Sequence, residues 1–383
     1  MKKINKLITV LIKTLLLVML PFSLCGCNKE ISEAVSSVTI SGTVKEDEIP
    51  GRIVTDISYE MMHDAGFDYG DLCRVTFGNG YVIEDIPLYS GYYGKTGENI
   101  IVNYQGSDYV KIVACQSSAI WEEVGCKDGD TVEISLTEKG GSLYVEEALK
   151  MTYSLNRDDY KDDETFSNFR VLSGGKLNDK LFYRGASAIY DAYGRVSYTN
   201  ELLKKYGISY IVDFNTSEEL LEAYLDEYDS SDSLYMEMYE KGNVLLTKIG
   251  NDYSSKSTAE IIANAFREIM KHEGPYYINC AEGKDRTGYV CILIEILGDY
   301  SLDEIRDDYM TTYFNYYGIE EDDTSKYNAI VEYKFNDIMF NLTDTETIEE
   351  LEKTDLKETV RNYLLNGQMS EEEIQCFEEL IHK

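Results

Sequence analysis

The sequence predicts two folded domains, a small β-rich domain followed by a larger α/β domain. Residues 45–150 contain short alternating apolar runs separated by turns rich in glycine and aspartate, which is typical of a barrel or sandwich. In residues 163–383, apolar strands alternate with helical apolar stripes, which predicts a parallel-type sheet flanked by helices. A chain of 383 residues is long enough for two such domains.

Six short runs in the first domain have the alternation or apolar character of strands. They are Cys73–Phe77, Tyr81–Ile83, Asn99–Val102, Val110–Val113, Thr131–Ile134 and Leu143–Val145. Disulfide bonds among the cysteines of this domain are compatible with the sequence, but their pairing cannot be assigned from it.

The second domain alternates strands and helices. Strands are predicted at Ile208–Val212, Val244–Ile249 and Tyr276–Ile278, and helices at Asn200–Tyr206, Ser217–Tyr228, Ser257–Lys271 and Thr287–Leu297. Residues 302–383 are predicted to be helical, and Ser370 followed by three glutamates marks the start of the last helix.

The charge balance excludes one class of partner. The chain has 70 acidic and 36 basic residues and a formal net charge of −34. A general nucleic-acid-binding protein would be repelled by the phosphate backbone at this charge, although a local positive pocket is still possible.

The first 24 residues have the pattern of a secretory signal. Lys2, Lys3 and Lys6 precede a largely apolar stretch, residues 7–24, which only Lys13 interrupts. Positive charge followed by a short apolar segment is typical of an export signal, and the interruption leaves it too short for a good membrane-spanning helix.

The end of this segment, Leu-Cys-Gly-Cys at 24–27, resembles the lipobox of bacterial lipoproteins. The resemblance implies removal of residues 1–26 and a diacylglyceryl thioether on Cys27, with palmitate as a typical acyl chain. Residues 27–44 would then tether the protein to the extracytoplasmic face of the bacterial cell membrane. An ordinary signal peptide or an uncleaved anchor is the alternative.

One loop contains the candidate catalytic and anion-binding residues. The predicted strand Tyr276–Ile278 is followed by a Cys-x5-Arg segment, Cys280 to Arg286, and then by Thr-Gly at the start of an apolar helix. Five intervening residues can turn several backbone N–H groups toward one point, where the helix N-terminus adds its own free N–H groups. The predicted phosphate-binding residues are Ala281, Glu282, Gly283, Lys284, Asp285 and Thr287.

Two side chains of this loop have predicted catalytic roles. Arg286 offers a planar pair of donors suited to a phosphate. Cys280 lies in the same positive field, which favours the thiolate and therefore nucleophilic attack on phosphorus. The spacing of the eight cysteines gives no structural zinc motif, and only three histidines are present, so we predict no metal and no cofactor.

The segment Cys280–Gly288 resembles the signature loop of cysteine-dependent protein tyrosine phosphatases. Its Gly-Lys-Asp-Arg-Thr-Gly form is similar to that of atypical bacterial members, and residues 181–186, 207–214 and 303–310 resemble further family elements in the same order. The resemblance implies hydrolysis of phosphotyrosine through a phosphocysteine, with phosphoserine, phosphothreonine or phosphoinositides as alternative substrates. The partner would be a phosphorylated protein or a phospholipid.

The sequence departs from this family at two positions. Asn279 stands where the family usually has histidine, and Asn215 stands where an arginine is expected. These departures leave open a second hypothesis, a phosphate-binding pseudo-phosphatase that acts as a surface binding lipoprotein.

A departing alcohol needs a proton, and three aspartates compete to supply it. Asp213 is favoured because it ends a predicted strand and matches the family position. Asp252 is the alternative, on a loop 28 residues before Cys280, and Asp285 within the signature loop is the third candidate. Arg184 is predicted either to bind phosphate or to anchor the fold.

Overall fold

The computed structural model describes residues 38–45, 52–104, 108–115, 120–228, 231–319 and 322–382. The predicted signal peptide, Cys27 and most of the predicted tether lie outside these residues. No helix in the described part of the chain is long and apolar enough to cross a membrane. The six described cysteines are all free thiols, so none of the compatible disulfides forms among them.

The first domain is a closed barrel. Its strands are β1 (Thr39–Lys45), β2 (Arg52–Thr55), β3 (Leu72–Phe77), β4 (Val82–Tyr89), β5 (Asn99–Val102), β6 (Lys111–Ala114) and β7 (Thr131–Glu138). They follow one another around the barrel in the order β1-β2-β6-β5-β4-β3-β7, with β7 pairing back onto β1. The prediction of a tether up to residue 44 is therefore wrong at its end, because Thr39 already begins the first strand.

Buried and exposed side chains alternate along a barrel strand, and this alternation fills the barrel interior. Cys73, Val75 and Phe77 of β3 are buried, while Arg74 between them is exposed. Successive side chains of a strand point to opposite faces, so one set packs inside and the other meets solvent. The barrel is completed by α1 (Tyr59–Ala65) and α2 (Ile120–Val124).

The predicted strand at Leu143–Val145 is wrong, because these residues begin a helix, α3 (Leu143–Leu149). Val145 and Leu149 are both buried, and a spacing of four places them on the same face of a helix. Three residues are too few to show this period, and the glycine pair before Ser142 is typical of a turn between strands.

The second domain contains a five-stranded sheet in the order β11-β10-β12-β9-β8. The strands are β8 (Arg170–Val171), β9 (Phe182–Gly185), β10 (Tyr210–Asp213), β11 (Val244–Leu246) and β12 (Tyr276–Asn279). Four strands are parallel, but β8 runs antiparallel to β9, so the sheet is mixed. The strand predicted at Val244–Ile249 ends at Leu246.

Helices surround this sheet. In chain order they are α4 (Asp163–Phe166), α5 (Val196–Lys205), α6 (Glu218–Glu227), α7 (Leu234–Glu240), α8 (Lys256–Ile269), α9 (Asp285–Leu297), α10 (Leu302–Tyr317), α11 (Thr324–Ile330), α12 (Asp337–Thr343), α13 (Ile348–Leu351), α14 (Leu356–Asn366) and α15 (Glu371–Ile381). A π-helical turn, Val331–Asn336, joins α11 to α12. The predicted N-terminal caps at Ser217 and Ser370 are confirmed, and Ser370 forms a full capping box with Glu373.

The helix α9 is the central element. Every residue from Thr287 to Leu297 is buried, so the helix is packed on all sides. A helix that is apolar all round belongs in the interior. Its position is therefore fixed by packing, and its N-terminus lies at the carboxyl end of β12.

The barrel domain packs directly against the second domain. Tyr89, Ile100 and Val113 of the barrel belong to the same hydrophobic cluster as α9. Polar contacts reinforce this packing, since the backbone N–H and the hydroxyl of Thr96 donate to the buried carboxylate of Asp337 at 3.0 and 2.8 Å. The two domains therefore share one hydrophobic cluster, while the barrel interior forms a separate cluster of its own.

Candidate active site

The loop from Cys280 to Lys284 connects β12 to α9. Cys280 is 3% exposed and follows the last strand residue, Asn279. Gly283 has a φ of +67°, and a Cβ placed there would lie 2.3 Å from the carbonyl of Gly185. Only glycine tolerates both the left-handed conformation and this close backbone approach.

Three consecutive carbonyl groups of the loop are bonded on its outer side. The carbonyl of Ala281 accepts from the N–H of Ser187 at 3.2 Å, and that of Glu282 accepts from the Tyr316 hydroxyl at 2.6 Å. The carbonyl of Gly283 accepts from Arg184 at 3.0 Å. Among the described residues, none of the backbone N–H groups of residues 281–284 donates a hydrogen bond to another protein group. These groups are therefore free to bind an anion.

Arg184 is buried and anchors the loop from below. It is 1% exposed, and besides Gly283 it contacts Asp308 at 2.6 Å. Arg170 binds the other oxygen of Asp308 at 2.8 Å. Burial alone would raise the pKa of Asp308, but the two guanidinium groups outweigh it and lower that pKa to about 2.

The buried ionisable residues beneath the loop, namely Arg170, Arg184, Asp308 and Glu295, carry net positive charge. Burial, together with the nearby charge of Asp308, raises the pKa of Glu295 in α9 well above its usual range, which favours the uncharged form of this carboxyl. Two guanidinium groups, Arg170 and Arg184, then face a single charged carboxylate. The excess positive charge favours an anion in the loop above it.

A set of aromatic residues supports the loop from the side. The Tyr153 hydroxyl binds the carboxylate of Glu282, which turns this side chain toward Tyr153. Arg195 is 1% exposed and stacks among four aromatic rings, with its guanidinium 4.3 Å from the centre of the Tyr316 ring. Neither Arg195 nor Tyr153 is predicted from the sequence, because neither lies near the signature loop in the chain.

Several buried polar atoms around Cys280 make no hydrogen bond of normal geometry with the described residues. The hydroxyl of Thr287 and both amide atoms of Asn279 are buried, and they make no hydrogen bond of normal geometry with the described residues. Arg286 is half-buried, and its one hydrogen bond in the described structure is a long one, 3.4 Å, to the carbonyl of Phe214. Unpaired buried polar groups are rare and often mark a site that a ligand completes.

The geometry does not favour Asp213 as the proton donor. Its side chain is fully buried, and its oxygens accept from the N–H of Asn215 at 2.8 Å and from the hydroxyls of Thr216 and Tyr235 at 2.9 Å. Burial raises its pKa, although these hydrogen bonds oppose the change. The carboxyl is enclosed by its own neighbours, so it has no open path to a leaving group.

Asp252 and Asp285, the other two candidate proton donors, line different cavities. The Asp252 carboxylate accepts from the Ser254 hydroxyl at 2.9 Å and from the N–H of Ser255 at 3.1 Å, and it lines a cavity of about 320 Å³ beside α14. Asp285 is exposed at the first residue of α9 and lines a different cavity of about 440 Å³ together with Lys284. Only Asp285 belongs to the signature loop itself.

The 440 Å³ cavity is built by both domains. Its cationic and acidic groups are Lys284, Asp285, Lys334 and Asp337. Seven tyrosines line it, namely Tyr92, Tyr93, Tyr253, Tyr309, Tyr313, Tyr317 and Tyr333. Burial alone would lower the pKa of Lys284, but Asp285 and Glu282 outweigh it and raise that pKa well above its usual range. No cluster of three or more metal-binding side chains occurs among the described residues.

Replacing Gly283 by alanine should abolish anion binding. The Cβ would collide with the backbone of Gly185 at 2.3 Å, and neither backbone can move without displacing the loop. We expect Gly283→Ala to lose the binding of inorganic phosphate in calorimetry. Gly250→Ala is the matched control, since a Cβ there meets nothing within 4 Å. Equal phosphate affinity in Gly283→Ala and the wild type would contradict this account of the loop.

Replacing Asp308 by asparagine should give a pH-dependent loss of stability. The pKa of Asp308 is lower in the folded state than its unfolded value of about 4, so its contribution is complete above about pH 4 and is lost as the pH falls toward 2. We expect Asp308→Asn to lower the free energy of unfolding at pH 7 by about 3 kcal/mol. Urea unfolding at pH 7, 4 and 3 should show this difference shrinking with acidity.

The control for this measurement is Asp303→Asn on the same helix, where the carboxylate is 77% exposed. An exposed ion pair contributes little, so the loss should be within about 1 kcal/mol. A difference between wild type and Asp308→Asn that grew as the pH fell would show that Asp308 is not a stabilising charge.

Comparison with known proteins places this site in context. No curated protein matches the sequence. Among solved structures, the chain is similar to an uncharacterised conserved protein from Thermotoga maritima (19% identity, TM-score 0.23), covering 30% of this chain and 42% of that one. It is also similar to the core catalytic domain of the PP-IP phosphatase SIW14 from S. cerevisiae in complex with citrate (18% identity, TM-score 0.25, 44% and 91% covered) and to TpbA from P. aeruginosa (14% identity, TM-score 0.25, 58% and 99% covered).

The family assignment rests on a sequence model and not on these distant structures. The model of the tyrosine phosphatase family matches residues 164–382, which is more than half of the chain and includes β8 through α15. The match begins within α4, close to the predicted domain boundary at residue 163. The chain therefore belongs to the tyrosine phosphatase family.

Proposed function

We propose that this protein hydrolyses phosphomonoesters, phosphotyrosine first among them, through a phosphocysteine on Cys280. The observation that carries the proposal is the state of the signature loop. Its carbonyls at Ala281, Glu282 and Gly283 are bonded outward, while the N–H groups of residues 281–284 have no protein partner. Cys280 lies at the start of this free set of donors, and Arg286 lies at its end.

The first step transfers the phosphoryl group to the enzyme. The Cys280 thiolate attacks phosphorus, so an S–P bond forms and the bond from phosphorus to the leaving oxygen breaks. The free N–H groups and the Arg286 guanidinium bind the non-bridging oxygens as charge develops on them. The leaving oxygen takes a proton from an aspartic acid.

The second step returns the enzyme to its starting state. A water molecule attacks the phosphorus of phosphocysteine and gives one proton to the same aspartate. The S–P bond breaks, and the electron pair returns to sulfur as thiolate. The unpaired Thr287 hydroxyl, buried on the first turn of α9, is available to donate a hydrogen bond to that thiolate.

We assign the proton transfers to Asp285. It is the exposed acidic residue of the loop and opens onto the 440 Å³ cavity, whereas Asp213 is enclosed and Asp252 lines another cavity. Lys284 lies 3.9 Å from the Asp285 carboxylate and can orient it. In this proposal Asp213 is a positioning residue that holds the end of β10 beside Asn279.

Asn279 supports the second candidate, a phosphate-binding pseudo-phosphatase. Its buried amide has no hydrogen-bond partner of normal geometry among the described residues, although it directly precedes the nucleophile. A site that only senses phosphate would bind it through the same loop without turnover.

We further propose that the protein acts at the extracytoplasmic face of the bacterial membrane, anchored through a lipid on Cys27. The lipobox resemblance at residues 24–27 supports this. A phosphorylated protein or a phospholipid at that surface would then be within reach of the site.

Replacing Cys27 by alanine should release the protein from the membrane. Metabolic labelling with palmitate in a bacterial host should label the wild type, and Cys27→Ala should be unlabelled because the thioether cannot form. Cys25→Ala is the matched control, since it leaves the modified residue intact. Membrane-bound, labelled Cys27→Ala would exclude anchoring at this residue.

Replacing Cys280 by serine tests the proposed reaction. We expect residues 28–383 to hydrolyse phenyl phosphate in the presence of EDTA, and Cys280→Ser to lose the activity because an alcohol is a far weaker nucleophile than a thiolate. The released phosphate is measured directly. If neither protein turns over while both bind inorganic phosphate, the pseudo-phosphatase candidate replaces this one.

The identity of the general acid is tested with two substrates, one with a poor leaving group and one with a good leaving group. A general acid contributes about 10²- to 10⁴-fold when the leaving group is poor and little when it is good. We expect Asp285→Asn to slow phenyl phosphate strongly and 2,4-dinitrophenyl phosphate only slightly. Asp213→Asn and Asp252→Asn should show no such dependence on the leaving group. The same dependence in Asp213→Asn alone would return the role to that residue.

A further inference from the structure

The cavity beside the signature loop contains a second lysine, Lys334, far from the loop in sequence. Lys334 lies in the π-helical turn Val331–Asn336 and lines the cavity together with Lys284 and Asp285. A π-helical turn is rare and occurs often at functional sites. The position of this lysine therefore calls for an explanation beyond packing.

The barrel domain holds the π-helical turn on its outer side. Lys95 forms an ion pair with Glu332 at 2.9 Å, and its ammonium group lies 4.5 Å from the centre of the Tyr333 ring. The hydroxyls of Tyr144 and Tyr333 are 2.6 Å apart. These contacts use the two residues that precede the cavity lysine, Glu332 and Tyr333, and Lys334 itself lines the cavity.

The two cavity lysines differ in charge compensation, because Lys284 has carboxylates within ion-pair distance and Lys334 has none among the described residues. Lys284 contacts the Tyr317 hydroxyl at 3.3 Å and the carboxylates of Glu282 and Asp285 at 3.8 and 3.9 Å. No carboxylate of a described residue lies within ion-pair distance of the Lys334 ammonium group. Burial lowers the pKa of Lys334, and the more distant charges of Asp285 and Asp337 oppose this only in part.

The cavity also limits what can reach Lys334. Its volume of about 440 Å³ lies in the range of small-molecule sites, and both domains enclose it. Tyr92 and Tyr93 of the barrel and Tyr309 and Tyr313 of α10 are among its walls. Such walls fit a compact, flat body better than an extended peptide backbone.

We propose that Lys334 binds a second anionic group, phosphate or carboxylate, on a compact substrate whose first phosphate occupies the signature loop. The inference rests on the proposed function and specifies its substrate class. The barrel domain is then part of the substrate site, because it forms one wall of the cavity and holds the turn that carries Lys334.

The test compares substrates that differ by one anionic group. The probes are phenyl phosphate, benzene-1,3-bisphosphate, benzene-1,4-bisphosphate and 4-carboxyphenyl phosphate, and the quantity is kcat/KM from released phosphate. A bisphosphate has two equivalent phosphates that can react, and this alone doubles its kcat/KM relative to phenyl phosphate. We expect the wild type to prefer at least one doubly anionic probe over phenyl phosphate by about tenfold beyond that factor, as one charge-assisted contact allows.

Lys334→Met should reduce this preference ratio by about tenfold, since the methionine keeps most of the length of the side chain and removes the charge. Lys326→Met is the matched control, because Lys326 lies on the adjoining helix α11, is 45% exposed and pairs with Asp323. The control should keep the wild-type ratio.

Three results would overturn the proposal. One is a wild-type protein without preference for any doubly anionic probe. Another is an equal fall of kcat/KM on all probes in Lys334→Met, which would mean that the lysine acts through Asp285. The third is a Lys334→Met effect confined to acidic phosphotyrosine peptides, which would identify a macromolecular substrate instead of a compact one.

A failure of the proposed function is separable from a failure of this inference. If the wild type hydrolyses none of the probes, calorimetric binding of benzene-1,4-bisphosphate and of phenyl phosphate is compared in Cys280→Ser with and without Lys334→Met. A loss of affinity confined to the bisphosphate in the double variant would still support the subsite. Equal affinities for both ligands in both proteins would exclude it.

Discussion

The site depends on one buried interaction, the contact of Arg184 with Asp308 on one side and with the carbonyl of Gly283 on the other. A buried ion pair is weak support for stability, because removing both charges from water costs about as much as their attraction returns. Its effect here is geometric. By binding the Gly283 carbonyl from below, Arg184 fixes the orientation of that peptide, and the N–H groups on the other side of the loop are left for a ligand.

The packing around this interaction allows little adjustment. A Cβ on Gly283 would collide with the backbone of Gly185, a Cβ on Gly185 would lie 2.5 Å from the Tyr277 hydroxyl, and α9 is buried along nearly its whole length. Gly185 ends β9, the strand that also carries Arg184, and α9 carries Glu295 beside Asp308. Strand, loop and helix are therefore positioned against one another by the same few contacts, and the helix N-terminus is held where an anion would lie.

The signature loop and the strand and helix on either side of it could be predicted from local sequence alone. Cys280, Arg286 and the loop between them lie within seven residues, and strand and helix follow from short apolar patterns on either side. The role expected for Asp213 depended on burial, which a position at a strand end does not reveal; Tyr235 and Thr216 enclose the carboxyl. Arg195 and Lys334 could not be found, because each reaches the site through contacts with residues distant in sequence.

The charge distribution links the loop, the cavity and the surface. The chain has nearly twice as many acidic as basic residues, so its average field repels anions. At the site cations are no longer outnumbered: Arg170 and Arg184 lie beneath the loop with Asp308 between them, Arg286 lies at its end, and Lys284 and Lys334 share the cavity with Asp285 and Asp337. An anionic substrate is therefore attracted only over a short distance, where screening by salt is weakest and the low dielectric of the enclosed cavity strengthens each contact. Such a field favours substrates whose negative charge is compact enough to enter the cavity, since charge that stays outside meets the repulsive surface.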